Sequence, residues 1–515
     1  MSFIPNLGIA FEDVATRHAG RTALIYPETG ERVTYGELNL LVDRIARILW
    51  ARGLRHGQVA AIFHDKSPAA FAAMLACLRL GIVYTNLDPD SPWERLHKIL
   101  ASCRPNLIVT AFQAMPYATE LEAEGYQTLQ LRDISTSSEI EPVPDYRATT
   151  GGNPAYIMFT SGSTGMPKGA VMSHANLLWF IAWARERFAI TSEDVLTNVN
   201  PIYFDNSVFD FYAAIFSGAA LVPVTSDQVR DTRLLVRLVN DAGCTIWFSV
   251  PSLLVYMLTT RALAASDLPV IRKIIFGGEG FPKPKLRQLY EMFGARAGLE
   301  NVYGPTECTC ICSAQAIRAA DFEDMHNFAP LGLLAENFDF EILPLDANVP
   351  DFGELFLRGP QVGLGYYNDP ERTARAFIQN PRHSLYTDIG YRTGDLVHRD
   401  ARGWLHFKGR ADFQVKHMGY RIELEEIEAA FNHLPVVKEC AVVYQKLGEG
   451  MGQILAFVAT SSPVSQEELL QNVSAIVPSY MVPRRVVVMD LLPKNANGKI
   501  DRVTLQAYVA PPCTP

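Results

Sequence analysis

The chain has 515 residues, 48% of them apolar and 20% charged, and a net charge of -9. That length exceeds what one hydrophobic core serves and predicts a large unit with a smaller companion. Basic residues scattered through an acidic chain exclude a nucleic-acid surface, and no apolar run reaches membrane-spanning length.

The opening stretch, MSFIPNLGIAFEDVATRHAG, carries Glu12, Asp13 and His18 within an amphipathic pattern. It lacks the basic and apolar blocks of a signal peptide, so a cytoplasmic address is expected. The run 58–64 (QVAAIFH) reads as a strand and 67–80 (SPAAFAAMLACLRL) as a helix. VYTNLD and LIVTAF are further strands, followed by 154–160 (PAYIMFT), 244–250 (CTIWFSV) and 272–278 (RKIIFGG). Several are continuously apolar, as strands covered on both faces are, and their alternation with helical patterns predicts α/β layered sheets. Near residue 410 the texture shifts: WLHFKGRADFQVKHMGYRIELEEIEAAF passes from strand through a junction of glycine and charge into strand and then helix. The remaining ~100 residues, with VKECAVVY, ILAFVAT and RRVVVMD, suit a compact α+β module. The expected division is 1–411 for the large N-terminal lobe and 412–515 for the small one.

Five of the eight cysteines are isolated. The cluster Cys308-Thr309-Cys310-Ile311-Cys312 lacks a second ligand pair at zinc spacing, and reads as small side chains on one face of a strand.

The stretch 158–169, MFTSGSTGMPKG, has the chemistry of a phosphate cradle. Gly162, Gly165 and Gly169 allow close folding around an anion, Thr160, Ser161, Ser163 and Thr164 supply hydroxyls, and Lys168 supplies a charge. The Walker spacing fails, because Pro167 stands where its second glycine belongs. The loop follows a buried strand, at the edge where open α/β sheets bind ligands.

Ten stretches in order resemble the adenylate-forming superfamily, and most closely its amino-acid adenylation domains. They are VTYGEL, NLDPDSPWERL, TSGSTGMPKG, FDNS, NVYGPTE, GELFLRGPQVGLGYYN, YRTGDL, GRADFQVKHMGYRIELEEIE, PSYMVP and NGKID. The resemblance implies two steps: a carboxylate attacks the α-phosphate of Mg·ATP, giving acyl-AMP and pyrophosphate, and a phosphopantetheine thiol then takes the acyl group. It implies catalytic roles for Thr160, Lys168, Glu307 and Lys499, the last delivered by a mobile C-terminal domain. The 160–169 loop would cover the phosphates, Tyr303 and Asn301 would meet adenine, and Thr306 would touch phosphate. Glu307 would bind Mg²⁺, Asp395 and Arg410 would hold the ribose, and Asp412 would be the hinge. Closure would be followed by rotation, turning Lys416 and Gly419 toward the thiol; His417 and Met418 depart there from the family's Ile-Arg.

Asp205 occupies the position that binds an α-ammonium, which favours an amino acid over a simple acid. The corresponding pocket is Asn206, Phe209, Phe248, Ile275 and Gly277, with Val302, Cys310 and Ile311. It is uncharged, and resembles pockets for branched aliphatic residues such as isoleucine, with valine, leucine and proline still open. No phosphopantetheine-attachment motif follows Lys499. A freestanding enzyme with a separate carrier protein is therefore expected, the alternative being an acid–CoA ligase of the same superfamily.

Overall fold

The structure, a computed structural model, describes residues 6–131, 148–162, 165–325, 328–346, 348–448, 451–494 and 500–508. Two sheets face one another across a layer of buried helices. One runs Ser313–Ala316, Gly298–Tyr303, Lys273–Gly277, Ile246–Ser249, Val195–Asn198, Ala220–Pro223, Thr22–Tyr26 and Glu31–Thr34. The other runs Gly365–Tyr366, Lys168–Ser173, Pro154–Thr160, Val83–Leu87, Val59–Phe63, Leu107–Thr110 and Thr128–Gln130. Inner strands are parallel, and antiparallel pairs lie at the edges.

Each strand feeds two cores because successive side chains point to opposite faces. Ile246 and Phe248 enter the central core while Trp247 packs outside, and Ala60 and Ile62 face inward while Val59, Ala61 and Phe63 face outward. This double burial is why the strands read as unbroken apolar runs. The helix Pro68–Leu80 lies in the middle layer, capped by the Ser67 side chain and stopped by left-handed Gly81. All its residues from Ala70 to Leu80 are buried, and its one charge, on Arg79, is met by Asp43 and Asn39.

An antiparallel five-stranded sheet, Asp339–Pro344, Phe352–Arg358, Phe377–Gln379, Ile389–Arg399 and Leu405–Arg410, completes the large body. The sequence reading predicts no such sheet, since its central strands pair across more than 30 positions and leave no local mark of that pairing. The three-cysteine strand is also corrected. Gly304 and Pro305 force a 3₁₀ turn at Thr306–Cys308, and Thr309 and Cys310 take positive φ of 59° and 73° before Ser313–Ala316 begins.

Beyond Leu405–Arg410 comes a hairpin, Gln414–His417 with Tyr420–Glu423, then the helix Leu424–Asn432 and a sheet of Val437–Gly448, Met451–Thr460 and Arg485–Met489. Two apolar clusters drawn wholly from residues 415 onward give this segment its own core. Among the described residues no helix is long and apolar enough to cross a membrane.

Candidate active site

The glycine-rich loop leaves Pro154–Thr160 and returns as Lys168–Ser173, antiparallel, with Thr160 opposite Lys168. It joins two strands rather than a strand and a helix, which is the physical reason its spacing is not Walker-like. The Thr160 hydroxyl is buried and has no hydrogen-bond partner among the described residues, so it is a donor suited to an incoming oxyanion. Ser163, Thr164 and Lys499 lie outside the described residues.

Strand Gly298–Tyr303 delivers the YGPTE residues to the same edge. The Thr306 hydroxyl donates to Asp205 Oδ2 at 2.6 Å. Glu307 is completely buried, accepting from the Tyr366 hydroxyl at 2.8 Å and from Arg421 at 2.9 Å, with Lys168 Nζ 3.8 Å away. Burial pushes its pKa up, but the charges of Arg421 and Lys168 outweigh that and hold the carboxyl well below its ordinary value.

Strand register sets Asp395 across from Arg410. Asp395 accepts from Arg410 Nη1 and from the Tyr303 hydroxyl, each at 2.6 Å, and is 3% exposed. A Gly-Asp pair that spacing alone reads as a surface turn is thus a buried mid-strand acid. Arg410 also grips Asp412 through two bonds of 2.7 Å. Asn301, on the buried strand, donates to the Pro330 carbonyl at 2.9 Å. In this arrangement Thr306 and Arg410, assigned by resemblance to phosphate and ribose, spend their polar atoms on Asp205, Asp395 and Asp412.

The pocket walls are neighbours in the larger sheet. Phe248 pairs with Ile275, and Gly277 with Val302. Phe209 comes from a π-helical turn, Phe209–Ala213, and meets Phe248 edge to face with ring centres 5.1 Å apart. Phe209, Phe248, Ile275, Val302, Cys310 and Ile311 all belong to the central core. A Cβ on residue 277 would lie 2.5 Å from Val302 Cγ2 and from its carbonyl oxygen, so only glycine fits. Asn206 begins the turn after Asp205. Burial raises the Asp205 pKa, and the Thr306 hydrogen bond opposes that rise.

Four residues that matter here were given no role by sequence reasoning: Tyr366, Arg421, Glu423 and Glu426. Ser161 Oγ donates to the Arg421 carbonyl at 2.7 Å and accepts from the Glu423 amide at 3.2 Å. The Gly162 amide donates to Glu426 at 3.2 Å, and Glu426 also pairs with Arg95. Lys168 Nζ lies 3.5 Å from Glu423. Farther along the hairpin, Gly419 (φ +86°) packs on Val250 and its amide donates to Glu279 at 2.6 Å. Phe204 stands edge-on to Tyr420, which stacks on Tyr480 at 3.8 Å. Lys416 is half-buried nearby; burial lowers its pKa while Asp395 and Asp205 oppose the drop. A cavity of about 600 Å³ remains between the two bodies, lined by Lys168, Tyr366, Arg372, Arg392, Arg410 and Arg421 among others. The available signal was the crowding of one arginine and several glutamates in GYRIELEEIE beside apolar Ile422 and Ile427.

Residues 11–367 match the AMP-binding enzyme family, and 426–499 match the AMP-binding enzyme C-terminal domain. The chain is 34% identical over 508 residues to the L-proline--[L-prolyl-carrier protein] ligase of Pseudomonas fluorescens, covering 96% of this chain and 97% of that protein. It is 32% identical over 497 residues to tyrocidine synthase 3 of Brevibacillus parabrevis, covering 96% of this chain but spanning only 7% of that much longer protein. The o-succinylbenzoate CoA synthetase of Bacillus subtilis superposes with a TM-score of 0.85, covering 98% of each chain at 23% identity, a likeness of fold alone.

Proposed function

The chain belongs to the AMP-binding enzyme family, and from that premise we propose that it activates an α-amino acid with ATP as aminoacyl-AMP and then passes the aminoacyl group to the phosphopantetheine thiol of a carrier protein. One observation carries the amino-acid reading: Asp205 is a half-buried carboxylate held by Thr306 and close to Cys310, one of the apolar side chains expected to line the pocket. Burial raises the Asp205 pKa even with Arg421 and Lys416 nearby, so a substrate ammonium in direct contact would stabilise the charged form. Apolar walls narrowed by two phenyl rings favour a compact branched aliphatic side chain. Proline, the amino acid of the Pseudomonas relative, is the competing choice of similar bulk.

The chemistry brings two anions together, so preorganised donors and cations dominate it. The unpaired Thr160 hydroxyl and the charge of Lys168 suit the phosphates, and Asp395 suits the ribose hydroxyls once Arg410 and Tyr303 yield. Mg²⁺, held by Glu307 with phosphate oxygens, would supply neutralisation of the triphosphate charge. Glu307 fits that part only after Arg421 withdraws, because both carboxylate oxygens are engaged. The docked hairpin therefore fits the thiol-transfer half of the cycle, with Asp412 as the hinge between 1–411 and 412–515. Lys499 is assigned to the adenylation half.

Pyrophosphate exchange measured with each proteinogenic amino acid and with simple carboxylic acids tests the reading. Exchange driven by isoleucine, valine, leucine or proline is expected. Exchange driven only by non-amino acids, with coenzyme A as acceptor, would overturn it in favour of an acid–CoA ligase.

A further inference from the structure

Beneath the amino-acid pocket lies a buried charged pair that neither touches the pocket nor enters the chemistry above. Lys66 is 7% exposed, and its ammonium donates to the carbonyls of Asn198 at 2.7 Å, Asn200 at 2.9 Å and Val224 at 2.7 Å. An ammonium has three protons, so its donors are fully used. Asp210 is 0% exposed, and one of its oxygens accepts from the side-chain amides of Asn198 at 3.1 Å and Asn200 at 3.0 Å. Each asparagine thus touches the cation with its backbone oxygen and the anion with its side chain. Burial lowers the lysine pKa and raises that of the aspartate, and each charge opposes the shift of the other.

The bonding reaches the pocket at two points. Asp210 directly follows Phe209 in the π-helical turn, an irregularity that is frequent at functional sites. The Asn200 amide that holds Asp210 also donates to the Phe248 carbonyl at 3.1 Å. The Phe248 backbone and the aspartate that follows Phe209 are therefore tied to one side-chain amide, on a residue whose backbone carbonyl Lys66 holds. The two charged groups are bridged by the asparagines, and buried charges are often no more stabilising than apolar side chains of equal volume, so their worth here lies in geometry. Apolar packing alone would let the segments that carry the rings slide, whereas directional bonds fix those segments.

We propose that Lys66, Asn200 and Asp210 form a clamp of positioning residues that sets the separation of Phe209 and Phe248, and with it the side-chain size the enzyme accepts. This rests on the amino-acid reading above.

The test uses Asp210→Asn and Lys66→Met in the full chain, with thermal melting to show folding. Amino-acid KM is expected to rise about tenfold or more, while ATP KM and kcat stay within about twofold. The preference between the best amino acid and one differing by a methylene, about 10–200-fold in such pockets, should shrink. Lys66→Arg should restore part of it. If the charge variants fail to fold, Asn200→Ala removes only the neutral link and should show the same KM and selectivity changes. Folded variants with unchanged KM and unchanged selectivity would overturn the clamp. A wild-type enzyme silent with every amino acid would instead overturn the reading beneath it.

Discussion

Asp205 holds the hydroxyl of Thr306, the residue before Glu307, yet the two carboxyls are shifted in opposite directions. At Asp205 burial outweighs the Thr306 hydroxyl and the charges of Arg421 and Lys416 and pushes the carboxyl up, whereas at Glu307 the charges of Arg421 and Lys168 outweigh burial and hold it down. Asp205→Asn keeps the shape and removes the charge an ammonium needs. Losing such a charge-assisted contact costs about 2–4 kcal/mol, so amino-acid KM should rise by about 30-fold to 1,000-fold in pyrophosphate exchange while ATP KM holds. At Gly277 the constraint is steric, with Val302 atoms 2.5 Å from where a methyl would sit. Gly277→Ala should lower stability by about 1–3 kcal/mol in denaturant titration and shift preference toward smaller side chains. Motif resemblance made Asp205 and Asp395 legible in the sequence. Local spacing did not, because a turn-like Gly-Asp pair gives no hint that a strand partner, Arg410, will bury it.

Elements were easier to read than their assembly. The strand at 154–160 and the helix at 67–80 announce themselves by unbroken apolar character, and the helix gains a capping serine and a stopping glycine. The antiparallel sheet through Phe352–Arg358 and Ile389–Arg399 did not, since pairing across 30 or more positions leaves no local periodic mark. Nor did the single π turn at Phe209–Ala213, whose signature is one extra residue in a helical register. The middle-layer helix has no solvent face to absorb a change. Leu75, 1% exposed within it, should cost about 2–5 kcal/mol when cut to alanine, read as a lower denaturant midpoint with an unaltered slope.

The two bodies meet through charge. Arg421 on Glu307, Glu423 near Lys168 and Glu426 on Arg95 are ion pairs across the junction, with an aromatic contact from Phe204 to Tyr420 beside them. A carboxyl whose folded pKa is depressed contributes stability above its unfolded value of about 4.3 and loses it as pH falls through the depressed value. The Arg421 to Glu307 pairing should therefore persist at neutral pH and through mild acid, giving way only below the ordinary carboxylate range. Fluorescence transfer between dyes on the two bodies, followed against pH, measures this; separation already complete at pH about 5 would contradict it. Lys499→Ala should abolish adenylate formation but spare thiol transfer from preformed adenylate, and equal loss in both would contradict the hinge. The guanidinium on Glu307 has a further consequence. On the proposed reading it is a built-in competitor: the chain would carry its own stand-in for the dication, nine residues beyond Asp412. On that reading nucleotide would engage the acid only in the fraction of molecules whose hairpin has lifted, weakening apparent affinity by that fraction. Arg421→Ala, though it deletes a positive charge from an anion site, should make Mg·ATP bind more tightly in calorimetry.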